Sequence, residues 1–281
     1  MTPTFVFATD LSADNRAGFA RALRLAYAQH AQLDILHVLD PYLPRRLLRE
    51  LEQAVNEDIA TTLTDIREDY ALEAPKTVIQ TVMGEPHVEV VRKAHEQKAE
   101  LIVLGMHRKR GQKELLAGTT FMRILRCAPC PVVIVQRVPT QPWQHILVPV
   151  DSFLTVRQTL SEALRRFPEA KLTLLHAWTL PGEVELGSEV YYARWREQEV
   201  ARLQALLSSE VERIVQDKDG ALDIELVLES GTPSEVVQGY IKQHTPDVVM
   251  IGSRGQPYHS SQLTQTLLSE PHCDLILCRA W

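Results

Sequence analysis

The chain has 281 residues, 45% of them hydrophobic and 23% charged, with a net charge of −6 and a pI near 5.9. That is the composition of a globular protein long enough for two domains, and the acidic balance argues against a nucleic-acid binder, which needs a basic face. Four cysteines make no disulfide framework, and no apolar run approaches a membrane span. The amino-terminal Met-Thr-Pro-Thr-Phe lacks the charged region and cleavage site of a secretory signal. A cytoplasmic protein with reduced thiols, no membrane contact and no nucleic-acid partner is expected.

Phe5-Val-Phe-Ala8 is an apolar strand that runs into Thr9-Asp10-Leu11-Ser12, with Ser12 as the expected N-cap of the next helix and Asp10 as its competitor. Phe19, Leu23, Ala26 and Tyr27 recur at helical spacing. Leu33–Leu39 reads as a second strand. From Arg45 to about Tyr70, Leu48, Leu51, Val55, Ile59, Leu63 and Ile66 share one helical face. Thr77–Val82 is a third strand, and Gly84-Glu-Pro86 turns into a helix with the proline in its first turn. Leu101–Leu104 is a short continuous apolar run, the mark of a strand buried on both faces, and Gly105 ends it. A helix over Phe121–Cys127 and a fifth strand over Pro131–Gln136 complete an alternating pattern that predicts a parallel sheet with helices on both faces.

After Val138-Pro-Thr-Gln-Pro142 the pattern starts again. Ile146–Asp151 repeats Phe5–Asp10, Leu172–Ala177 repeats Leu33–Val38, and Gly231-Thr-Pro repeats Gly84-Glu-Pro. Asp247–Gly252 repeats Glu100–Gly105, Glu189–Val215 is a second long helix, and Leu275–Cys278 is a last strand. The fold class is therefore α/β, with two duplicated doubly wound domains over residues 1–140 and 141–281, each a five-stranded parallel sheet.

The stretch from Leu101 to Thr120 is strand, glycine-punctuated loop and helix start. Free backbone N–H groups and the positive end of a helix dipole meet there, which is a natural phosphate site. Taken alone, the same glycines suit a tight connection equally well. Cys127-Ala-Pro-Cys130 has redox or zinc spacing, but two small residues packing at a helix end explain it better. His37 and His176 end strands at the ligand edge and read as wall or packing residues, whereas His107 lies in the loop and is the better phosphate candidate. No metal site is assigned: His259, His272 and Cys273 form one only if the shorter second loop folds over a helix end. No catalytic residue is assigned either, since there is no Gly-x-Ser-x-Gly elbow, His-Glu-x-x-His or Walker loop.

Each half resembles a universal stress protein domain, through Thr9-Asp10-Leu11-Ser12, Leu36-His37-Val38, Gly84-Glu-Pro86, Gly105 to Thr120, and Ala128-Pro-Cys-Pro-Val132. The whole chain looks like a tandem-type member. The resemblance implies a Rossmann-like, adenine nucleotide alpha hydrolase-like fold with ATP or another adenine nucleotide (ADP, AMP), with or without Mg, at the carboxyl ends of the strands. It implies Thr9 and Asp10 at adenine or ribose, the Val38 backbone at adenine, and Gly105, Met106, His107, Arg108, Gly118, Thr119 and Thr120 around the phosphates. Arg108 stands where nucleotide-binding members have glycine, and an arginine there either blocks or assists phosphate.

The second half keeps Asp151 and Gly252-Ser-Arg-Gly255 and then departs. Ser260, Ser261 and Thr266 are alternatives for the position of Gly118 or Thr119, and weak or no triphosphate binding is expected there. The implied function is a stress-linked regulatory or sensing protein with nucleotide in the first half. The alternatives are an interaction protein whose second half takes another small molecule or a metal, and a slow ATPase or self-phosphorylating protein. The apolar fifth strands Val132–Val135 and Leu275–Cys278 are expected to pair within the chain as a pseudo-dimer, with a homodimer of chains left open.

Overall fold

Strands and helices alternate as β1 (Thr4–Thr9), α1 (Arg16–Ala28), β2 (Gln32–Leu39), α2 (Leu48–Asp69), β3 (Thr77–Met83), α3 (Pro86–Glu96), β4 (Leu101–Gly105), α4 (Thr120–Cys127) and β5 (Val132–Val135). The repeat follows as β6 (His145–Val150), α5 (Phe153–Arg166), β7 (Lys171–Trp178), α6 (Glu189–Val215), β8 (Ile224–Ser230), α7 (Pro233–His244), β9 (Val248–Arg254), α8 (Gln262–Ser269) and β10 (Asp274–Ala280). The structure, a computed structural model, describes residues 2–12, 15–105, 120–138, 141–150, 153–179, 189–216, 222–254, 262–269 and 272–280. The expected α/β class is the one found. Two local expectations are corrected. The long helix is entered through a 3-10 turn at Arg45–Leu47, and α1 starts at Arg16 rather than directly after Ser12.

Two compact units form, one of Met1–Pro142 with Gln256–Arg279 and the other of Trp143–Gly255 with Ala280–Trp281. In the first, five parallel strands take the order β3-β2-β1-β4-β5. The central strands are buried on both faces: Phe5, Val6 and Phe7 of β1 and Leu101, Ile102 and Val103 of β4 have no exposed surface. This is why they read as continuous apolar runs. The edge strand β3 is only partly buried. Helices α1 and α2 pack against one another, as do α3 and α4, and the Phe7 and Phe19 rings meet edge-on at 4.6 Å. The expected pairing of β5 with the last strand is present, antiparallel, with Ile276 opposite Val133. Burial of that apolar edge removes an aggregation-prone surface.

A charged pair lies between β2 and α3 in the first unit's core. Asp34 of β2, 2% exposed, is 2.9 Å from Lys93 Nζ of α3 and accepts a 2.7 Å hydrogen bond from Gln32 Nε2. Both charges of the pair are out of water, and each depends on the other to offset its lost hydration.

In the second unit β6 lies between β9 and β7, and β8 pairs with β7, all parallel. Thr173 takes the place of Asp34, and Tyr240 takes the place of Lys93 after the helix-opening proline. The Tyr240 and Thr173 hydroxyls are 3.3 Å apart, His145 Nε2 is 3.0 Å from the Thr173 hydroxyl, and His244 stacks on Tyr240 at 4.2 Å. The same interior position is thus charged in one unit and neutral in the other. Among the described residues no helix is long and apolar enough to cross a membrane.

Candidate functional site

The strand order of the first unit reverses between β1 and β4. β1 leads outward to β2 and β3, whereas β4 leads outward to β5 on the other side. The loops leaving the carboxyl ends of β1 and β4 therefore diverge, and the crevice between them is where doubly wound sheets take ligands. Thr9 closes β1, Gly105 closes β4, and Val38 stands near the end of β2, paired with Val82.

Thr9-Asp10-Leu11-Ser12 forms a tight, side-chain-tied loop. The Thr9 hydroxyl accepts the Leu11 N–H at 3.1 Å. Asp10 Oδ1 accepts the Ser12 N–H at 3.0 Å and the Ser12 hydroxyl at 2.7 Å. These bonds hold Leu11 at φ 62°, a left-handed conformation that costs a non-glycine residue about 1–3 kcal/mol and is found where function requires it. Ser12 is therefore not the helix cap. Its hydroxyl is committed to Asp10, and its carbonyl receives the Asn15 N–H at 2.9 Å. The N-cap residue is Asn15, and its side chain does not cap either.

The Asn15 carboxamide instead faces the crevice floor. Its Nδ2 donates to both the Thr9 hydroxyl and Asp10 Oδ1, each at 3.3 Å. Its Oδ1 is buried and has no hydrogen-bond partner. That oxygen fills the space beside two glycines: a Cβ on Gly105 would lie 1.8 Å from it, and a Cβ on Gly18 would lie 2.5 Å from it and 3.1 Å from the Gly105 Cα. Gly105 and Gly18 are small because Asn15 and the backbone occupy the room a side chain would need. Asn15 is the residue that sequence reading missed. An asparagine at a helix start reads as a cap, and only the packing shows its side chain turned toward β4.

His37 is a wall residue, as expected. Its Nδ1 lies 2.9 Å from the Thr9 carbonyl, which can only accept, so Nδ1 donates to it. His176 does the same for the Val150 carbonyl at 2.8 Å. Both histidines tie the end of the second strand of a repeat to the end of the first.

Thr120 is exposed and opens α4, at the positive end of its dipole. Asp10 is exposed at the rim, and Val38 and Gly105 are partly exposed. Met106, His107, Arg108, Gly118 and Thr119 lie outside the described residues, as do Asp151, His259, Ser260 and Ser261. Thr266 sits within α8 with its hydroxyl bonded to the Gln262 carbonyl at 2.9 Å. Leu267 and Leu268 are buried as Ile124 and Leu125 are, which favours aligning the two final helices through Cys130 and Cys273. All four cysteines are free thiols, with Cys127 exposed and Cys130 buried. His272 is exposed while the adjacent Cys273 is buried.

The Universal stress protein family model matches this chain twice, over residues 1–136 and 142–279. A universal stress protein of Thermus aquaticus is 29% identical over 146 residues, which is 48% of this chain and 100% of that protein. One from Methanocaldococcus jannaschii is 26% identical over 140 residues, 47% of this chain and 81% of its own length. Another from the same organism is 27% identical over 88 residues, and there the match spans only 54% of the relative's length. Among solved structures, a universal stress protein from Archaeoglobus fulgidus superposes with a TM-score of 0.69 at 14% identity, covering 98% of both chains. A universal stress protein structure from Pseudomonas aeruginosa gives 0.63 at 17% identity, covering 99% of this chain and 93% of that one. These structures share the fold. With the crevice at the strand-order reversal and the family matched over both halves, this chain belongs to the universal stress protein family and carries its domain twice.

Proposed function

We propose that this protein is a stress-linked regulatory or sensing protein that binds one adenine nucleotide (ATP, ADP or AMP) in the crevice of its first repeat. The observation that carries the reading is the contrast between the two crevice floors. In the first repeat Thr9, Asn15 and Gly18 make a polar floor, with the Asn15 carboxamide filling the space beside Gly18 and Gly105. Position for position, the second repeat has Val150, Val156 and Thr159 there, all buried. With valines in place of the Thr9 hydroxyl and the Asn15 carboxamide, the second floor has fewer groups to hydrogen-bond a ribose or base, and on this reading the second repeat keeps the architecture without the site.

Asp10 at the rim is placed to accept ribose hydroxyls, and the strand end at Val38 offers backbone groups to the base edge. The Thr120 helix start favours phosphate. The loop with Met106, His107, Arg108, Gly118 and Thr119 completes the reading, with Arg108 as a phosphate partner. Slow hydrolysis of bound ATP needs a base, and none of Thr9, Asp10 and Asn15 is committed to that role. Calorimetric titration of the full chain tests the proposal. One saturable site for ATP, ADP or AMP, weakened at least tenfold in Asp10→Ala, is expected. Two equal sites, or none at millimolar nucleotide, would sink it. The full chain is needed because β10 forms part of the first compact unit.

A further inference from the structure

Asp274, the first residue of β10, lies beside Arg21 of α1 in the first unit, with Asp274 Oδ2 3.1 Å from Arg21 Nε. The side chains are 1% and 7% exposed respectively. The other carboxylate oxygen accepts the N–H groups of Gln136 and Arg137, just past β5, at 2.8 and 3.2 Å. Arg21 Nη1 also donates to the Gln141 carbonyl at 3.0 Å. One buried carboxylate therefore ties β10 to α1 and to the chain leaving β5.

Nothing in the apolar contacts themselves demands that β10 be the strand on β5. With Cys130 set on Cys273, Val133 is the counterpart of Ile276, and Val132 and Ile134 are the counterparts of Leu275 and Leu277. The observed register places Ile276 opposite Val133, Leu275 opposite Ile134 and Leu277 opposite Val132. A β5 strand from a second copy fits the same register with apolar residues at every contact.

The charges break that degeneracy. The counterpart of Asp274 is Pro131, and, with Asp10 set on Asp151, the counterpart of Arg21 is Glu162. If β5 of another chain took the place of β10, Pro131 would replace Asp274. Arg21 would then lose its carboxylate, and the N–H groups of Gln136 and Arg137 would lose their acceptor. If two β10 strands paired, Asp274 would be taken from Arg21 and set near the counterpart Glu162, which already has its own cations in Arg165 and Arg166. Only β5 with β10 sets Asp274 against Arg21.

We infer that the Arg21–Asp274 pair is a pairing selector: it directs the exposed edge of β5 to the chain's own last strand and rejects a second copy of the same chain. The device combines an attractive pair in the right assembly with the loss of that pair in the wrong ones. A buried ion pair is well suited to this, because its contribution to bare stability is small while its loss on one side is costly.

The test uses full-length protein and two readouts: sedimentation velocity over a concentration series, and hydrogen–deuterium exchange of residues 132–135 and 275–277. Asp274→Asn and Arg21→Gln should each speed exchange of 275–277 at least tenfold, with 101–104 unchanged, and strengthen self-association at least tenfold. Arg21→Lys, which keeps a cation beside Asp274, should stay nearer wild type than Arg21→Gln in both readouts. Folded single variants with wild-type exchange and association would overturn the inference. So would a folded Arg21→Lys protein that behaves like Arg21→Gln. Failure of all variants to fold would assign the pair to folding alone and would equally overturn it.

Discussion

The two units place different chemistry at the same interior position, between the second strand of the repeat and the helix behind it. The first uses a charged pair, Asp34 with Lys93. The second uses hydroxyls and an imidazole, Thr173 with Tyr240 and His145. A charged pair is geometrically strict and intolerant of losing one member, whereas a neutral cluster loses one modest hydrogen bond at a time. The crevice floors also differ: Thr9 and Asn15 of the first unit are Val150 and Val156 in the second. Duplication thus preserved the sheet and relaxed different constraints in each copy.

That contrast can be broken most sharply at Lys93. Lys93→Ala leaves the Asp34 carboxylate buried without its cation and is expected to destabilise the first unit by about 3–5 kcal/mol. Tyr240→Phe in the second unit should cost only about 1 kcal/mol. All four tryptophans (Trp143, Trp178, Trp195 and Trp281) belong to the second unit. Urea unfolding followed by tryptophan fluorescence therefore reads that unit, and circular dichroism reads both. Equal losses from the two substitutions would mean the pair is not what distinguishes the cores.

The crevice floor gives the next largest effect. In Gly105→Ala the new methyl meets Asn15 Oδ1 at 1.8 Å. Overpacking of this kind costs about 1–3 kcal/mol, and nucleotide affinity should fall at least tenfold as the Thr9–Asp10 loop shifts. Adding Asn15→Gly should restore the melting temperature, because it removes the obstructing carboxamide. A Gly105→Ala protein with native stability and affinity would show that Asn15 does not set the floor.

Helix entry differs between the units by a smaller margin. Thr232 caps α7 in a reciprocal box with Glu235: the Thr232 hydroxyl accepts the Glu235 N–H, and the Glu235 carboxylate accepts the Thr232 N–H. The Thr232 hydroxyl also donates to that carboxylate and, with the N–H, holds the Glu235 pKa below the ordinary value. The counterpart Glu85 makes no side-chain cap on α3. Thr232→Ala should lower stability by about 1 kcal/mol, and Glu85→Ala should be nearly silent. Thermal melts of the two variants make the comparison directly.

The smallest expected effect is in pH. Burial, and then the Lys171 charge, push the His145 pKa below its ordinary 6.5, against the opposing pull of Asp247 and Glu225, with His244 adding to the depression. The unfolded chain takes up this proton near pH 6.5, while the folded unit resists it until lower pH. The stability of the second unit should therefore fall as pH drops below about 6.5 and level off once the folded histidine is charged. His145→Gln should flatten that part of the curve, measured as the urea midpoint between pH 7.5 and 5. An unchanged slope would place the dependence on another group.

Much of the architecture was legible in the residues. Short apolar runs such as Leu101–Leu104 are typical of strands covered on both faces, and the helical spacing of Leu51, Val55, Ile59 and Ile66 put one face of α2 inward, where Ile59 and Ile66 are buried. The repeat of Thr9-Asp10 as Val150-Asp151, with Gly84-Glu-Pro86 matched by Gly231-Thr-Pro233, exposed the duplication. Periodicity put Thr9 and Gly105 at or just past the ends of strands, whereas the roles expected of them and of Asp10 came from the family resemblance.

The tertiary structure decided the rest. Ser12 looked like the helix cap, yet Asp10 claims its hydroxyl, and Asn15, which the sequence did not single out, turns its carboxamide toward Gly105. Both outcomes depend on groups that meet only when β1, β4 and α1 pack together. Arg21 and Asp274 are separated by most of the chain, and nothing local marks them as partners. Local sequence sets backbone propensity and the inward face of each element through short-range sterics and burial. The identity of a buried polar group's partner is a question of which distant elements share a low-dielectric interior, and only the folded chain answers it.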